Sequence, residues 1–449
     1  MSLLLVSNRV HSSSGGQRGG LVVALAAALQ QQGGTWIGWN GECADERQRS
    51  AEAMPDIAKA QTHTFTLTQA EREAFYDRFS NQVLWPLLHL RTALISYDRA
   101  ALAGYLQVND VFAAEVMRVA RPEDVVWVHD YHLIGVAAAL RQRGFAGRIG
   151  FFLHVPVPPA ELLQRLPGHA ALLGLLSEYD HIGLQTPGDV ARLSAYLAAQ
   201  WPSVCGPNIA AYPVCIDTAA FAALAAESDA ESDVQDLKKS TPRERLVIGV
   251  DRLDYSKGLP ERLRGFAAYL ARPAAEAGMT LLQIATPTRS DVPSYVQLRE
   301  EVERAIGTLN GAHAAAAHTP VRYLHQLVTQ RVLAGFYRAA HIGLVTPLQD
   351  GMNLVAKEYV AAQDAADPGV LVLSEFAGAA AELAGGALLV NPHDADAIAD
   401  ALEQAHAMPL AERQRRWRAM MDTLLARDVH RWAADFLNAL RHRPELRAA

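Results

Sequence analysis

Cysteine is scarce in this chain of 449 residues. Its three cysteines, Cys43, Cys205 and Cys215, are too few and too scattered for a disulfide framework. No CxxC or HExxH spacing indicates a zinc site either. We therefore expect ordinary buried or semi-buried thiols, and no structural role for disulfides or zinc.

An excess of positive charge and long apolar runs are also missing. The 41 basic and 48 acidic residues are mixed along the chain and give a net charge of −7, so no basic face would attract nucleic acid. No uncharged apolar run reaches the roughly 20 residues of a membrane span, and the start MSLLLVSNRV does not read as a secretory leader. We expect a cytoplasmic protein that binds small molecules, with no nucleic acid and no membrane as partner; a homo-oligomer is compatible with the sequence.

The length and the hydrophobic pattern predict two α/β domains. A chain this long exceeds the roughly 250 to 300 residues at which single cores stop growing. Short apolar runs rich in β-branched or aromatic residues alternate with longer stretches at helical spacing, which favours parallel sheets. The predicted strands are 3–7, 125–129, 149–154, 181–185, 246–250, 280–285, 342–346, 370–374 and 387–390.

A polar segment separates the two halves. Residues 227–245 are charged and nearly free of large apolar side chains, and part of the segment reads as a short exposed helix. We place the crossover just after Asp217, which predicts domains at 1–217 and 218–428. Residues 429–449 carry an apolar stripe at helical spacing and are predicted to dock on the first domain: Val429, Trp432, Ala433, Phe436, Leu437 and Leu440.

Doubly wound sheets bind ligands at the carboxyl ends of their strands, and the segment VIGVDRLDYSKGLPERL has charged residues at such a place. A strand through Val250 leads into a loop with Arg252 and Lys257, and Pro260 then opens a helix. Two cations there would stabilise a departing diphosphate. The alternative is a pair of solvated surface charges.

The segment HIGLVTPLQDGMNLVAKEYVAAQ repeats the pattern of strand, tight turn and helix. Backbone N–H groups at the predicted helix start, residues 353–355, would form a seat for a diphosphate. Asp350 in the turn and Glu358 in the helix could accept hydrogen bonds from sugar hydroxyls. The alternative makes both carboxylates simple capping and first-turn charges.

The two segments together, in this order, resemble the trehalose-6-phosphate synthases of glycosyltransferase family 20. The resemblance rests on RLDYSKGLPERL, TPLQDGMNLVAKEYVAAQD and PGVLVLSEFAGAA, and extends to SNR at the start, YDRFSNQVLWPLLH, VWVHDYHL, IGFFLHVPVPP and ATPTRSDV. It spans nearly the whole chain. It implies the GT-B fold, in which two Rossmann-like, doubly wound parallel-sheet domains face a central cleft.

The resemblance also implies which residues hold a nucleotide-sugar donor. Arg252 and Lys257 would bind its diphosphate, Asp350 the glucose hydroxyls and Glu358 the ribose. His154, after the strand FFLH, would bind the donor glucose, unless it is a buried core histidine. The other donor contacts would be Gly20, Asn353, Leu354 and Val355, while Arg252, Lys257, His154 and Asp350 form the implied catalytic set.

The acceptor side, by the same resemblance, would bind glucose 6-phosphate through cations for its phosphate and aromatic side chains for its ring. The matching positions are Arg9, Trp39, Tyr76, Trp85, Asp130 and Arg289. Trp85 could equally be a packing residue. The glycine pair that ends at Gly20 predicts a flexible loop able to close over a ligand.

The implied reaction transfers glucose from a nucleoside diphosphate to glucose 6-phosphate with retention, giving trehalose 6-phosphate. UDP-glucose is favoured as donor, with the GDP and ADP forms left open, and neither a cofactor nor a metal is expected. The pair Asp394 and Asp396 resembles the DxD element of metal-dependent transferases, but NPHDADAIADAL reads better as a helix start.

Three other functions are compatible with the same scaffold. The chain could use another acceptor, as in a glucosylglycerol-phosphate or validoxylamine-phosphate type synthase, or be a nucleotide-sugar epimerase or a non-catalytic sugar-phosphate sensor. The epimerase is disfavoured because the acceptor residues would then have no purpose, and the sensor is disfavoured because every matched site position is filled. The sequence departs from the family pattern at Gln349, at Cys215, at 187–188 and in a shorter loop before Gly20.

Overall fold

The chain divides into two compact units. A computed structural model describes residues 2–10, 20–54, 57, 59–202, 206–241, 245–273, 278–289, 292–315 and 318–442. One unit comprises Met1–Val214 together with Val429–Ala449, and the other comprises Cys215–Asp428. Each unit is built around its own sheet.

The strands alternate with helices along the chain. They are β1 Leu3–Arg9, β2 Gly34–Cys43, β3 Arg49–Ala53, β4 Ala60–Leu67, β5 Val125–His129, β6 Arg148–Phe152, β7 His181–Leu184, β8 Asn208–Ala211, β9 Arg245–Arg252, β10 Met279–Thr286, β11 Val321–Leu324, β12 Ile342–Val345, β13 Val370–Ser374 and β14 Leu388–Val390.

The α-helices are α1 Gly20–Gln32, α2 Gln69–Arg72, α3 Trp85–Leu88, α4 Arg99–Val119, α5 Val136–Gln142, α6 Ala160–Leu163, α7 His169–Gly174, α8 Pro187–Gln200, α9 Thr218–Glu227, α10 Ser232–Ser240, α11 Leu259–Leu270, α12 Pro293–His313, α13 Gln330–Ala339, α14 Leu354–Ala362, α15 Ala380–Leu383, α16 Ala395–Ala407, α17 Leu410–Ala426 and α18 Val429–Arg441. Glu73–Leu84 is a π-helix. Short 3₁₀ turns occupy Thr92–Leu94, Tyr131–Leu133, Leu175–Glu178, Ser228–Ala230 and Tyr255–Lys257.

The sheet of the first unit has eight strands in the order β3-β4-β2-β1-β5-β6-β7-β8. All neighbours are parallel except the edge strand β3, which runs antiparallel to β4. The strand order reverses between β1 and β5, and such a switch point opens a crevice at the carboxyl ends of the strands. Arg9 ends β1 and Asp130 follows β5, so both lie at this edge.

The sheet of the second unit has six parallel strands in the order β11-β10-β9-β12-β13-β14. Numbered within the unit, this is the order 3-2-1-4-5-6 of dinucleotide-binding folds. The switch point lies between β9 and β12. The loops that follow these two strands carry the two motifs singled out in the sequence.

The C-terminal helix α18 packs on the first unit's sheet. Its buried side chains are the six of the predicted stripe. Phe436 stacks on Trp127 of β5 with ring centroids 4.6 Å apart. A side chain at Gly150 of β6 would come within 2.7 Å of Leu440 and 2.9 Å of Phe436, so this glycine permits the close approach of the helix.

The predicted parallel α/β architecture is confirmed, and each predicted strand is present within one or two residues at either end. Five strands were missed: β2, β3, β4, β8 and β11. Three of these are edge strands, and β3 is exposed at all five residues, so burial left no apolar pattern to detect.

The structure also tests the predictions made for Asp394 and for the cysteines. Asp394 caps α16 by accepting a hydrogen bond from the N–H of Ala397 at 3.0 Å, which confirms the predicted helix start. Cys43 is exposed, so the expectation of a buried or semi-buried thiol was wrong there, while Cys215 is buried and Cys205 lies outside the described residues. Among the described helices none is long and apolar enough to cross a membrane.

Candidate active site

The switch point of the second sheet brings a cation and a carboxylate together. Lys257 ends the 3₁₀ turn Tyr255–Lys257 after β9, and Asp350 lies in the turn after β12. Lys257 Nζ donates to Asp350 Oδ2 at 2.5 Å, although the two residues are far apart in sequence. Both side chains are largely buried, with 11% and 13% exposed, so water screens this pair only weakly.

The backbone around Asp350 is held closely. Its N–H donates to Phe376 C=O at 3.2 Å, and its C=O accepts from Gly378 N–H at 3.1 Å. A side chain at Gly378 would lie 1.9 Å from the carbonyl oxygen of Gly351, so only glycine allows these two loops to approach. The position of the Asp350 carboxylate is thus set by the loop after β13 as well as by its own turn.

Asn353 completes this group and begins α14. Its Nδ2 donates to Asp350 Oδ2 at 3.0 Å, and its Oδ1 accepts from Ala356 N–H at 3.0 Å. The residue has φ 80°, a strained backbone for a residue other than glycine. Because the side chain of Asn353 accepts from the N–H of Ala356, the N–H groups of Leu354 and Val355 in the first helical turn remain to bind an anion.

Glu358 lies one turn further along α14 and is partly buried. Tyr337 Oη donates to its Oε2 at 3.4 Å. Burial disfavours the charged carboxylate and raises the pKa of Glu358 to about 7, although the bond from Tyr337 acts in the opposite direction. The carboxyl group therefore changes charge near neutral pH.

Replacing Glu358 with glutamine should raise the melting temperature at pH 8 and leave it nearly unchanged at pH 4.5. In the folded protein Glu358 ionises near pH 7, whereas its reference pKa is 4.5, so ionisation costs the folded state stability as pH rises through this window. Thermal unfolding followed by circular dichroism at both pH values tests this. The control is Glu303→Gln at an exposed position, and its melting temperature should follow that of the wild type at both pH values. If Glu358→Gln does not raise the melting temperature more at pH 8 than at pH 4.5, the burial argument is wrong.

Two further predicted cations lie in this unit. Arg252 is the last residue of β9, is exposed, and pairs in register with Thr286 of β10. Arg289, three residues after β10, has φ 47° and a side chain only 9% exposed. Its guanidinium lies beside Asp254 and over the ring of Tyr295.

In the first unit, Arg9 lies against two aromatic rings. Its guanidinium carbon is 4.5 Å from the centroid of Trp39 and 5.0 Å from that of Tyr76, and these two rings contact each other edge to face. Trp39 is fully buried in β2. Tyr76 lies in the π-helix, a rare conformation that is frequent at functional sites. Among the described residues no acceptor pairs with the buried Nε of Arg9, so this planar cation is available to an oxyanion.

Ring contacts connect this cluster to Trp85. Tyr76 stacks on His132 at 6.0 Å, His132 stacks on Tyr131 at 4.0 Å, and Tyr131 lies 5.8 Å from Trp85. Trp85 is 5% exposed and also contacts His89. Trp85 is therefore a packing residue in this structure. Its ring contacts Tyr131, which begins the 3₁₀ turn that follows Asp130.

Asp130 and His154 meet at the carboxyl ends of β5 and β6. Asp130 has φ 75°, and its Oδ1 accepts from the backbone N–H of His154 at 3.2 Å. His154 Nε2 faces His129 Nδ1 at 3.1 Å, and its Nδ1 faces Gln185 Nε2 at 3.5 Å. Burial lowers the pKa of His154 to about 3, so the ring is neutral at physiological pH.

Gly20 begins α1, and the loop predicted to close over a ligand lies on residues outside the described part of the chain, 11–19. No group of three or more His, Cys, Asp or Glu that could hold a metal occurs among the described residues.

Sequence reasoning missed Asp254, Gln185, Tyr295 and Tyr337, which contact predicted residues. Only Asp254 carried a local signal, since it lies within the motif between Arg252 and Lys257.

The model of glycosyltransferase family 20 matches residues 6–442 of the chain. The trehalose-6-phosphate synthase of Sinorhizobium fredii is 46% identical over 454 residues, which cover 98% of each chain.

Solved structures are similar across both units. The α,α-trehalose-phosphate synthase (UDP-forming) from Burkholderia xenovorans in complex with glucose-6-phosphate is 41% identical, with a TM-score of 0.94, and the match covers 98% of this chain and 100% of that one. The structure described as trehalose-6-phosphate from Escherichia coli bound with UDP-2-fluoro glucose is 38% identical, with a TM-score of 0.93 and 99% of each chain covered. The expected GT-B class of two parallel-sheet α/β domains is thereby confirmed.

Proposed function

Because the chain belongs to glycosyltransferase family 20, we propose that it transfers glucose from UDP-glucose to glucose 6-phosphate and releases trehalose 6-phosphate and UDP. Support comes from the names of its relatives and from the ligands of two of them, glucose-6-phosphate in the Burkholderia structure and UDP-2-fluoro glucose in the E. coli structure. Nucleotide sugars and hexose phosphates are made inside cells, and we place the reaction in the cytoplasm.

The observation that carries this proposal is the group Lys257, Asp350 and Asn353 at the switch point of the second sheet. The bond between glucose and the diphosphate breaks in the reaction, and negative charge grows on the leaving diphosphate. A preorganised ammonium at that place favours the transition state more than the ground state. The carboxylate beside it would accept hydrogen bonds from hydroxyls of the same sugar.

The rest of the donor would lie along α14 and contact three residues outside this helix. Arg252 would add a second cation, the N–H groups of Leu354 and Val355 would bind phosphate oxygens, and Glu358 would accept both ribose hydroxyls. The Nδ1 of His154 would bind a glucose hydroxyl in place of Gln185, as a neutral group. Gly20, at the start of α1, would allow the backbone to approach the donor closely.

The acceptor would be held through its phosphate and its ring. Arg9, kept in place by Trp39 and Tyr76, presents a planar set of N–H donors that suits a phosphate, and Arg289 would supply a second cation. Trp85 would contact the sugar ring and Asp130 its hydroxyls. In this assignment residues 1–217 form the acceptor domain, 218–428 form the donor domain, and 429–449 dock on the former.

The proposed chemistry needs no protein nucleophile and no metal. The anomeric hydroxyl of glucose 6-phosphate forms a bond to the anomeric carbon of the donor on the face that the diphosphate leaves. The proton of that hydroxyl passes to the departing diphosphate, and UDP is released. The protein contributes positioning and charge stabilisation, and the anomeric configuration of the donor is retained.

A product assay tests this function. Purified protein, treated with a chelator, is given glucose 6-phosphate with UDP-, GDP- or ADP-glucose, and the products are analysed by NMR. We expect a phosphorylated α,α-linked disaccharide, formed fastest with UDP-glucose and at an unchanged rate in the chelator. An inverted anomeric centre, no product with glucose 6-phosphate, or product with glycerol 3-phosphate alone would contradict the proposal.

A further inference from the structure

We propose that Asp254 is a positioning residue that fixes the phosphate-binding cations of both substrates at once. One of its carboxylate oxygens holds the turn that carries Lys257, and the other holds Arg289. The inference rests on the proposed function, because it takes Lys257 as a donor cation and Arg289 as an acceptor cation. No side-chain contact of Asp254 with a substrate is required.

The link to Lys257 runs through the backbone. Asp254 Oδ1 accepts from the N–H of Ser256 at 2.9 Å, and the C=O of Asp254 accepts from the N–H of Lys257 at 3.0 Å. These two bonds close the 3₁₀ turn, for which Asp254 is the N-terminal cap. Gly258 then leaves the turn with φ 65°, and a side chain there would lie 2.2 Å from Thr346 C=O. The chain around Lys257 has therefore little freedom as long as the cap is intact.

The link to Arg289 is direct. Asp254 Oδ2 accepts from Arg289 Nη1 at 3.3 Å and from Tyr295 Oη at 2.9 Å, and Arg289 also donates to the tyrosine hydroxyl. Burial and the charge of Asp254 raise the pKa of Tyr295, so its hydroxyl keeps the proton that it donates. These contacts hold an arginine whose backbone is left-handed, a conformation that needs support from its surroundings.

The burial of Asp254 makes the two links interdependent. Its side chain is 0% exposed, so water cannot replace a lost partner, and the carboxylate acts at low effective dielectric. Arg289 contacts both Asp254 and Tyr295 through Nη1, so these two residues orient its guanidinium. The buried carboxylate of Asp254 thus orients the guanidinium of Arg289 and also holds the turn that carries Lys257.

The test measures binding of UDP and of glucose 6-phosphate separately, by calorimetry on the full chain, for the wild type and Asp254→Asn. An asparagine has a single side-chain carbonyl, which can serve Ser256 or Arg289 but not both. Because bonds to charged groups are the stronger ones, we expect the affinity for glucose 6-phosphate to fall about tenfold or more and that for UDP to fall at least about fivefold. Tyr295→Phe is the matched control: it keeps the carboxylate and the cap, so it should weaken glucose 6-phosphate binding and leave UDP binding within about twofold.

An Asp254→Asn protein that weakens only one ligand, or neither, overturns the inference, and so does a lower melting temperature with both affinities unchanged. If that variant does not fold, Asp254→Glu applies the same test, since it keeps the charge but moves the oxygens. If the proposed function is wrong, the wild type makes no trehalose 6-phosphate in the product assay. The comparison of the Asp254 variants measures ligand binding and does not depend on turnover.

Discussion

Replacing Lys257 with alanine should lower turnover by about a hundred- to a thousandfold, the loss expected for one preorganised charge-stabilising donor. The Michaelis constant for UDP-glucose should change less than turnover, because the ammonium acts mainly on charge that develops as the diphosphate leaves. Steady-state kinetics with both substrates varied measures the two effects.

The pairing of Lys257 with Asp350 at 2.5 Å adds a second expectation. Asp350→Asn should also lower turnover, since it releases the lysine from its fixed position.

Lys239→Ala is the matched control for Lys257→Ala. It removes the same charge from the same unit at a side chain that is 72% exposed, and its turnover should stay within about twofold of the wild type. Near-normal turnover in Lys257→Ala would remove this lysine from the catalytic set. A loss of similar size in both variants would show a general effect of charge instead.

Replacing Arg262 with alanine should destabilise the second unit strongly. Its guanidinium is 0% exposed and donates to Asp251 Oδ2 at 2.6 Å, Gln283 Oε1 at 3.0 Å and Thr346 Oγ1 at 3.0 Å. Loss of one partner from a buried ion pair costs about 3 to 5 kcal/mol, because the other charge stays buried without compensation. For a unit of this size we expect the melting temperature to fall by about 10 °C, measured by differential scanning calorimetry.

The effect of Arg262→Ala should also depend on pH. Burial raises the pKa of Asp251, and the attraction of Arg262 opposes this rise. Without the arginine the carboxylate is easier to protonate, so the loss of stability should be smaller at pH 5 than at pH 8. Arg264→Ala, on the same helix with a side chain 57% exposed, is the control and should change the melting temperature by no more than about 1 to 2 °C. Equal losses in the two variants would contradict the role given to the buried pair.

Arg262 also shows a distinction within the motif RLDYSKGLPERL that the sequence does not display. Within RLDYSKGLPERL the exposed Arg252 and the buried Arg262 are chemically alike, and only the latter lies where β9, β10 and the residue after β12 come together. A motif therefore identifies a site as a whole more reliably than it separates residues that touch a ligand from residues that support them.

The interior strands were predictable because they are buried on both faces and read as continuous apolar runs. Three of the four edge strands were not predictable, since β3 is exposed throughout and β8 and β11 are only partly buried. The interior strands β2 and β4 were missed for another reason: glycines interrupt β2, where Gly38 lies against Ser7 C=O, and threonines alternate along β4. Their identity as strands is decided by pairing with β1 and with each other.

The α/β class and the helix starts at Asn353 and Asp394 follow from the sequence alone, because local periodicity, capping and composition are enough to indicate them. Which side chains come into contact depends on the folded chain. Lys257 reaches Asp350, Arg9 lies against Trp39 and Tyr76, and Asp254 joins Arg289 to the turn of Lys257. These contacts form because the strand order of each sheet brings distant loops to the same edge. Burial, which is a property of the folded chain, then sets the pKa of Glu358 near 7 and keeps His154 neutral.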